Sequence, residues 1–264
     1  MTPCVKMSSS KPFGLFCFIQ VTDVAVRWVN NQTIKAFTQM DLRRRSDTGR
    51  ANFPPQATIM SPVRVPSNCP MEIRPLTFDP DGDTVVCRYG VAPLECGACQ
   101  PPQGFTFSSN CTMSFDAANS AVGGFYAVEL MMEDHVKKNI SFESLGVKEE
   151  KNSSDYISVV PFQFAFEVLP SIKSCAEGVI LPRFVEPTPK HGAVIKIDIS
   201  SSVQLFSVKA TASEATVVGL VHSGPGGLQS TPVKDGSFNL TWNPKEPDNN
   251  ATYPVCFAAQ AYIG

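Results

Sequence analysis

Charge is scarce in this sequence. Asp, Glu, Lys and Arg make up 17% of its 264 residues, and the net charge is −2. An average soluble domain carries ~25% charged residues. No basic stripe runs along the chain, so nucleic acid finds no electrostatic footprint on it. Histidine is rarer still. The three, His135, His191 and His222, are scattered, with no nucleophile elbow beside them and no paired spacing for zinc. Helical periodicity of useful length is absent. No apolar run reaches the ~20 residues of a membrane-spanning helix. The longest near the start, Phe13 to Ile19, is broken by Gly14 and preceded by Lys6 and Lys11. That is a poor match to a signal peptide, and the alternative is a piece of a longer protein. The last residues, Ala261-Tyr262-Ile263-Gly264, read as stopping within a strand. Gly224-Pro225-Gly226-Gly227 lacks the lysine and serine of a phosphate loop and reads as a turn. An enzyme would need convergent titratable groups, and none stands out. The chain reads as non-catalytic.

Cysteine and proline are abundant. There are nine cysteines and 22 prolines, and five of the cysteines fall between 69 and 111. Without metal-ligand spacing, such a cluster reads as a disulfide framework of an oxidising compartment. The expected cross-linked set is Cys69, Cys87, Cys96, Cys99, Cys111, Cys175 and Cys256. Cys96 and Cys99 are expected to pair with Cys87 and Cys111 in some order, and Cys175 with Cys256, unless Cys256 pairs with a cysteine beyond the chain. A redox role for Cys96-Gly97-Ala98-Cys99 is disfavoured. Gln100-Pro101-Pro102 follows, whereas a redox C-x-x-C opens a helix. Six N-x-S/T tripeptides, at Asn31, Asn110, Asn139, Asn152, Asn239 and Asn250, are candidate glycosylation sites and point outside the cell as well.

Along the chain the signals are those of short strands. Residues 1–50 hold two apolar stretches, Phe13–Val26 and Thr33–Leu42, read as strands and as the tail of a preceding module. Within them Arg43-Arg44-Arg45 reads as a solvated strand end. A processing or localisation signal is the alternative, although Leu42 stands where the processing pattern wants arginine. Residues 51–169 read as one cysteine-rich module. Its Leu76–Phe78 and Thr84–Tyr89 flank the turn Asp79-Pro80-Asp81-Gly82-Asp83, in which proline presets φ and glycine takes the positive φ. Tyr126, Val128, Leu130 and Met132 alternate onto one face, as do Phe162, Phe164, Phe166 and Val168. Glu143–Ser154 reads as a loop or hairpin tip. Residues 170–264 read as a second module, with Ile195, Ile197 and Ile199 alternating, an Asp235-Gly236 turn, and Phe238, Leu240 and Trp242 inward. Strands at this spacing argue for β-sandwiches.

Two stretches carry a resemblance. One is Phe78-Asp79-Pro80-Asp81-Gly82-Asp83-Thr84-Val85, followed by Gly124-Phe125-Tyr126-Ala127-Val128-Glu129-Leu130-Met131-Met132-Glu133-Asp134. The other is Ser237–Pro244 followed by Tyr253–Ala261. They resemble cadherin-like and hyalin-like immunoglobulin-fold repeats. The wider arrangement, with Arg44–Gly49, Arg64–Cys69 and Glu95-Cys96-x-x-Cys99, is similar to extracellular proteins of fish. The resemblance implies an all-β chain of tandem, disulfide-bonded immunoglobulin-like sandwiches. The second module lacks an Asp-rich turn, and the junction lacks the full acidic set of cadherins, so the resemblance speaks to fold more than to adhesion.

The expected role is a binding or adhesion module of a secreted or cell-surface protein, presenting loops to an extracellular protein or glycan. The alternative is a matrix or coat component that associates with copies of itself. Asp79, Asp81 and Asp83, with Glu133 and Asp134 from a strand end, are candidate calcium ligands. The competing reading is a plain hairpin whose aspartates cap the turn. An EF-hand is excluded, because Thr84 and Gly90 stand where its glycine and terminal acid belong. No other cofactor is expected.

Overall fold

The structure is a computed structural model that describes residues 35–59, 61–97, 99–144, 147–197, 203–244 and 253–263. Every regular element among them is a strand. The strands are β1 (Arg44–Arg45), β2 (Gln56–Thr58), β3 (Val63–Pro66), β4 (Met71–Ile73), β5 (Leu76–Phe78) and β6 (Thr84–Tyr89). Then come β7 (Phe105–Phe107), β8 (Met113–Phe115), β9 (Phe125–His135), β10 (Ile140–Ser144), β11 (Val147–Lys151) and β12 (Tyr156–Leu169). The last are β13 (Arg183–Val185), β14 (Val203–Thr211), β15 (Thr216–Ser223), β16 (Gln229–Pro232), β17 (Ser237–Trp242) and β18 (Cys256–Tyr262). The chain forms two compact units. Among the described residues, one takes in those of 35–57 and 61–169; the other takes in 58–59 and those of 170–263.

The first unit is organised by a four-stranded sheet in the order β3-β12-β9-β6. Its long partners β9 and β12 are antiparallel, while β3 lies parallel to β12. Short sheets β4-β8-β7 and β1-β10-β11 and the pair β2-β5 complete the unit. The aromatic alternation of β12 drives the core. Phe162, Phe164, Phe166 and Val168 are all buried. Phe166 stacks on Phe115 with ring centroids 4.3 Å apart and meets Phe164 edge-on at 5.3 Å. Such rings add to the stability that area burial alone gives. Val128, Leu130 and Met132 of β9 are buried too, while Tyr126 is half-buried. The opposite face of β9 is covered as well, so Glu129, Met131 and Glu133 are also buried. A second cluster, Val136, Ile140, Phe142 and Ile157, sits under the β10–β11 hairpin.

The second unit sets the sheet β13-β14-β17-β16 with the pair β15-β18. Val208, Leu228, Leu240 and Trp242 form its core. The Trp242 indole N–H donates to the Gly226 carbonyl at 3.1 Å. The Lys234–Ser237 turn joins β16 to β17, with both Asp235 and Gly236 at positive φ. That is the primed hairpin turn the Asp-Gly pair favours.

Several expectations are corrected. Residues 35–50 belong to the first unit and are not the tail of another module: β1 pairs with β10, and Gln39 bridges Val159. Residues 35–42 form no strand beyond that bridge. Phe13–Val26, Asn31 and Asn250 lie outside the described residues. The alternation from Ile195 to Ile197 is not a strand, because 193–197 make no ladder and Ile195 is 40% exposed. The cysteine pairing also differs. Cys87 bonds Cys111, and Cys96 bonds Cys99. Cys69 and Cys175 are each disulfide-bonded. Cys256 Sγ donates to the Thr58 carbonyl at 3.5 Å.

Candidate binding loop and the acidic turn

The Asp-rich turn forms as its residues dictate. The Asp79 carbonyl accepts from the Gly82 N–H at 3.0 Å, with Gly82 at φ +85°. Asp79 Oδ1 accepts from the N–H groups of Asp81 and Asp83 at 2.9 and 3.1 Å, which is the Asx-turn chemistry expected of aspartate. Asp81 Oδ2 accepts from the Phe53 N–H at 2.7 Å. The turn then meets Arg45. This arginine stands in a run that reads as solvated, yet it is 2% exposed. Strand alternation turns Arg44 outward and Arg45 inward. Its guanidinium donates to both carboxylate oxygens of Asp47 at 2.9 Å, to Asn52 Oδ1 at 2.7 Å and to Asp83. Asp81 Oδ2 lies 3.7 Å away. Arg43 is nearly buried as well, forked onto Asp41 and set 4.9 Å over the Phe142 ring. Only Arg44 fits the expected solvated strand end.

Asp134 is fully buried beside this group. It accepts from Asn52 Nδ2 at 2.9 Å and from the Ser158 N–H. Burial pushes its carboxyl up to about 6, against the lowering hydrogen bonds from Asn52 and Ser158. Burial pushes Asp79 up to about 7, helped by the charges of Asp134 and Asp83. Asp79 Oδ2 and Asp81 Oδ1 are buried without a hydrogen-bond partner. Among the five expected calcium ligands, Glu133 is turned away. Its oxygens meet Arg88 Nε and, at 3.0 Å, His135 Nε2. The reason is the pleat of β9, which sends neighbouring Glu133 and Asp134 to opposite faces. Among the described residues no group of three His, Cys, Asp or Glu has an arrangement that could hold a metal ion.

Sequence reasoning missed the loop that follows β6. Val91, Ala92, Pro93 and Leu94 are four consecutive exposed apolar residues, with Val91 at 61% and Leu94 at 66%. The loop that carries them is clamped at every corner. Arg88 grips Glu95 through two parallel bonds of 2.6 and 2.7 Å. Glu95 accepts from the Val91 N–H at 2.8 Å and returns its own N–H to the Val91 carbonyl at 3.0 Å. Burial raises the Glu95 carboxyl, but Arg88 and the Val91 N–H outweigh it and hold the net value below the usual carboxylate range. Lys35 Nζ donates to the Pro93 carbonyl at 2.8 Å. Behind the loop, the Cys96–Cys99 bridge closes, and buried Glu129 accepts from the Gly97 N–H. Gly90 is closely approached, since a Cβ there would stand 3.0 Å from Cys96 Cβ. Tyr89 at the loop's base meets Phe107 edge-on at 4.6 Å. The sequence signal was present in the run Val-Ala-Pro-Leu beside a C-x-x-C, but apolar runs in a β-protein read as core. An open depression of about 610 Å³ lies on the outer face of β9, lined by Thr84, Val86, Glu133, His135, Val136, Lys137 and Ser153. Arg88 and His135 already engage its one carboxylate.

The described sequons differ in exposure. Asn110, Asn139 and Asn152 are exposed. Asn239 is half-buried on β17, with its Oδ1 accepting from Ser207 Oγ at 2.8 Å.

Comparison with known proteins finds no matching family model and no matching curated protein. Solved structures give distant likenesses. Protocadherin Gamma B7 extracellular cadherin domains 1–4 is 12% identical, covering 93% of this chain and 63% of that one, with a TM-score of 0.27. The protocadherin gammaB7 EC3-6 cis-dimer structure is 13% identical, covering 76% and 44%, with a TM-score of 0.22. The N-terminal eight Ig domains of Down Syndrome Cell Adhesion Molecule are 12% identical, covering 97% and 35%, with a TM-score of 0.23. The chain thus spans less than two thirds of each. Scores this low support no argument about activity or partners. The molecule's own strands and cross-links establish an all-β, disulfide-bonded chain built in two layered units.

Proposed function

We propose that this chain is a non-catalytic binding module of a secreted or cell-surface protein, and that the loop Val91–Leu94 makes its contact with a partner protein. The observation that carries this reading is the pairing of four exposed apolar side chains with a backbone held at Val91 by Glu95 and at Pro93 by Lys35. Exposed apolar surface costs solubility and aggregation resistance. A rigid loop that pays this cost is preorganised for contact, because little conformational entropy is left to lose on binding. The cross-links and the three exposed sequons support an oxidising, glycosylating compartment.

The test compares the intact chain with the double variant Val91→Asp/Leu94→Asp. Both are coupled to beads scored for homotypic aggregation, and tetramers of both are used to stain a panel of cultured cells. The parent is expected to aggregate beads or stain cells, and the variant to lose that activity at unchanged thermal stability. Retention at the parental level overturns the loop's role. Aggregation of beads together with open-ended growth in light scattering would favour the second reading, a self-assembling matrix or coat component. Cell staining by a stable monomer favours a foreign protein or glycan.

A further inference from the structure

A carboxylate buried without compensation is costly, and the usual outcome is a counter-charge or a proton. Five aspartates gather near the turn of the first unit: Asp47, Asp79, Asp81, Asp83 and Asp134. One cation sits among them, Arg45, whose side chain is 1% exposed. It is the largest fully buried side chain among the described residues.

The backbone sets this side chain in place. Arg45 pairs with Phe142 across β1 and β10. Its N–H donates to the Arg50 carbonyl at 2.8 Å, and its carbonyl accepts from the Gly49 N–H at 3.1 Å. The resulting loop returns the chain so that the Asn52 N–H reaches the Arg43 carbonyl at 3.2 Å. Asn52 then contacts Arg45 on one side and Asp134 on the other. The planar fork of the guanidinium is satisfied by two carboxylates and one amide oxygen, as a fork suits and a point charge does not.

We infer that Arg45 is the resident cation of the acidic turn, standing where a divalent metal would otherwise be needed, so that residues 79–83 order without one. The donor set does not fit calcium. Calcium takes six to eight oxygens converging at about 2.3–2.6 Å. Here the oxygens of Asp47 and Asp83 are spread along the edges of a guanidinium, which also repels a second cation. Glu133, the expected fifth ligand, faces Arg88 and His135. The carboxyls that Arg45 does not touch, Asp79 and Asp134, retain protons more readily than ordinary aspartates.

Thermal melting of the intact chain, in chelator and in millimolar calcium, tests this. The parent's midpoint is expected to be the same in both. Arg45→Met is expected to lose several degrees in chelator and to recover part of the loss in calcium, because its acids are left without a cation. A parental midpoint that rises with calcium overturns the inference. So does an Arg45→Met midpoint equal to the parent's in chelator, or one that calcium fails to raise. Should Arg45→Met not fold, Arg45→Lys keeps the charge and loses the fork. Its midpoint is expected below the parent's and to be the same in chelator and in calcium, and a midpoint equal to the parent's, or one that calcium raises, overturns the inference equally.

Discussion

Asp79 and Asp134 give the first unit a pH dependence opposite in sign to that of a salt-bridged carboxylate. Their folded values, about 7 and about 6, lie above the ordinary carboxyl range because burial disfavours the charged form. Between about pH 4 and pH 7 the folded chain therefore holds protons that the unfolded chain releases, and stability falls as pH rises through that window. Arg45, Asp47, Asp81 and Asp83 surround the pair, and Asp47 is held below its usual range by its bonds to Arg45. Hydrogen-exchange protection of β6 and β9 amides is expected to be highest near about pH 5 and to decline toward about pH 8. Asp79→Asn, which keeps an acceptor for the Asp81 and Asp83 amides, is expected to flatten that decline. A flat profile in the parent would contradict the assignment. At this scale the sequence was legible wherever chemistry is local. Pro80 and Gly82 announced their turn because φ preferences act within four residues. Arg45 was not legible, because Asp83 lies 38 residues away in sequence and a triple arginine reads by local rules as solvated. Glu133 was misplaced for a related reason: Asp134 is adjacent to it in sequence but lies on the other face of the strand.

Among the elements, the β16–β17 hairpin shows how narrowly a turn can constrain its residues. Gly236 sits at φ +70°, and a Cβ there would stand 2.3 Å from the Ala210 carbonyl oxygen. Gly236→Ala is expected to destabilise the second unit by about 2–4 kcal/mol, combining left-handed strain with a backbone clash. Gly226→Ala is expected to cost about 0.5 kcal/mol or less, since nothing lies within 4 Å of its Cβ position. Urea midpoints of the two variants check the contrast, and equal midpoints would refute it. Strands with strict alternation, such as Phe162 to Val168, were legible because one buried face writes a period of two into the sequence. The run from Ile195 to Ile197 has the same period without a ladder. Periodicity reports amphipathic spacing and not the presence of a hydrogen-bonding neighbour. Cysteine connectivity was illegible for a comparable reason, since pairing depends on which loops the sheets bring together.

For the molecule as a whole, one compact unit ends its longest stretch at Leu169 and the other runs on from Pro170. The cross-links and sequons make a joint prediction about biogenesis. Secreted from eukaryotic cells, the chain is expected to carry glycan at Asn110, Asn139 and Asn152, and little at Asn239, which is half-buried and bonded to Ser207 within the sheet. Peptide mass spectrometry reads the occupancy directly. Full occupancy at Asn239 with bare Asn110, Asn139 and Asn152 would reverse the expectation.

The parallel pairing of β3 with β12 imposes an order of events on the nascent chain. Arg64 and Glu167, opposite one another on these strands, are 103 residues apart. Cys87 and Cys111 are separated by only 24. A ribosome releases residues in sequence, so β3 waits through about 103 further residues before its neighbour exists. The oxidation that joins Cys87 to Cys111 needs a far shorter stretch. Both residues of the covalent staple are therefore synthesised before β12, the strand that completes the sheet.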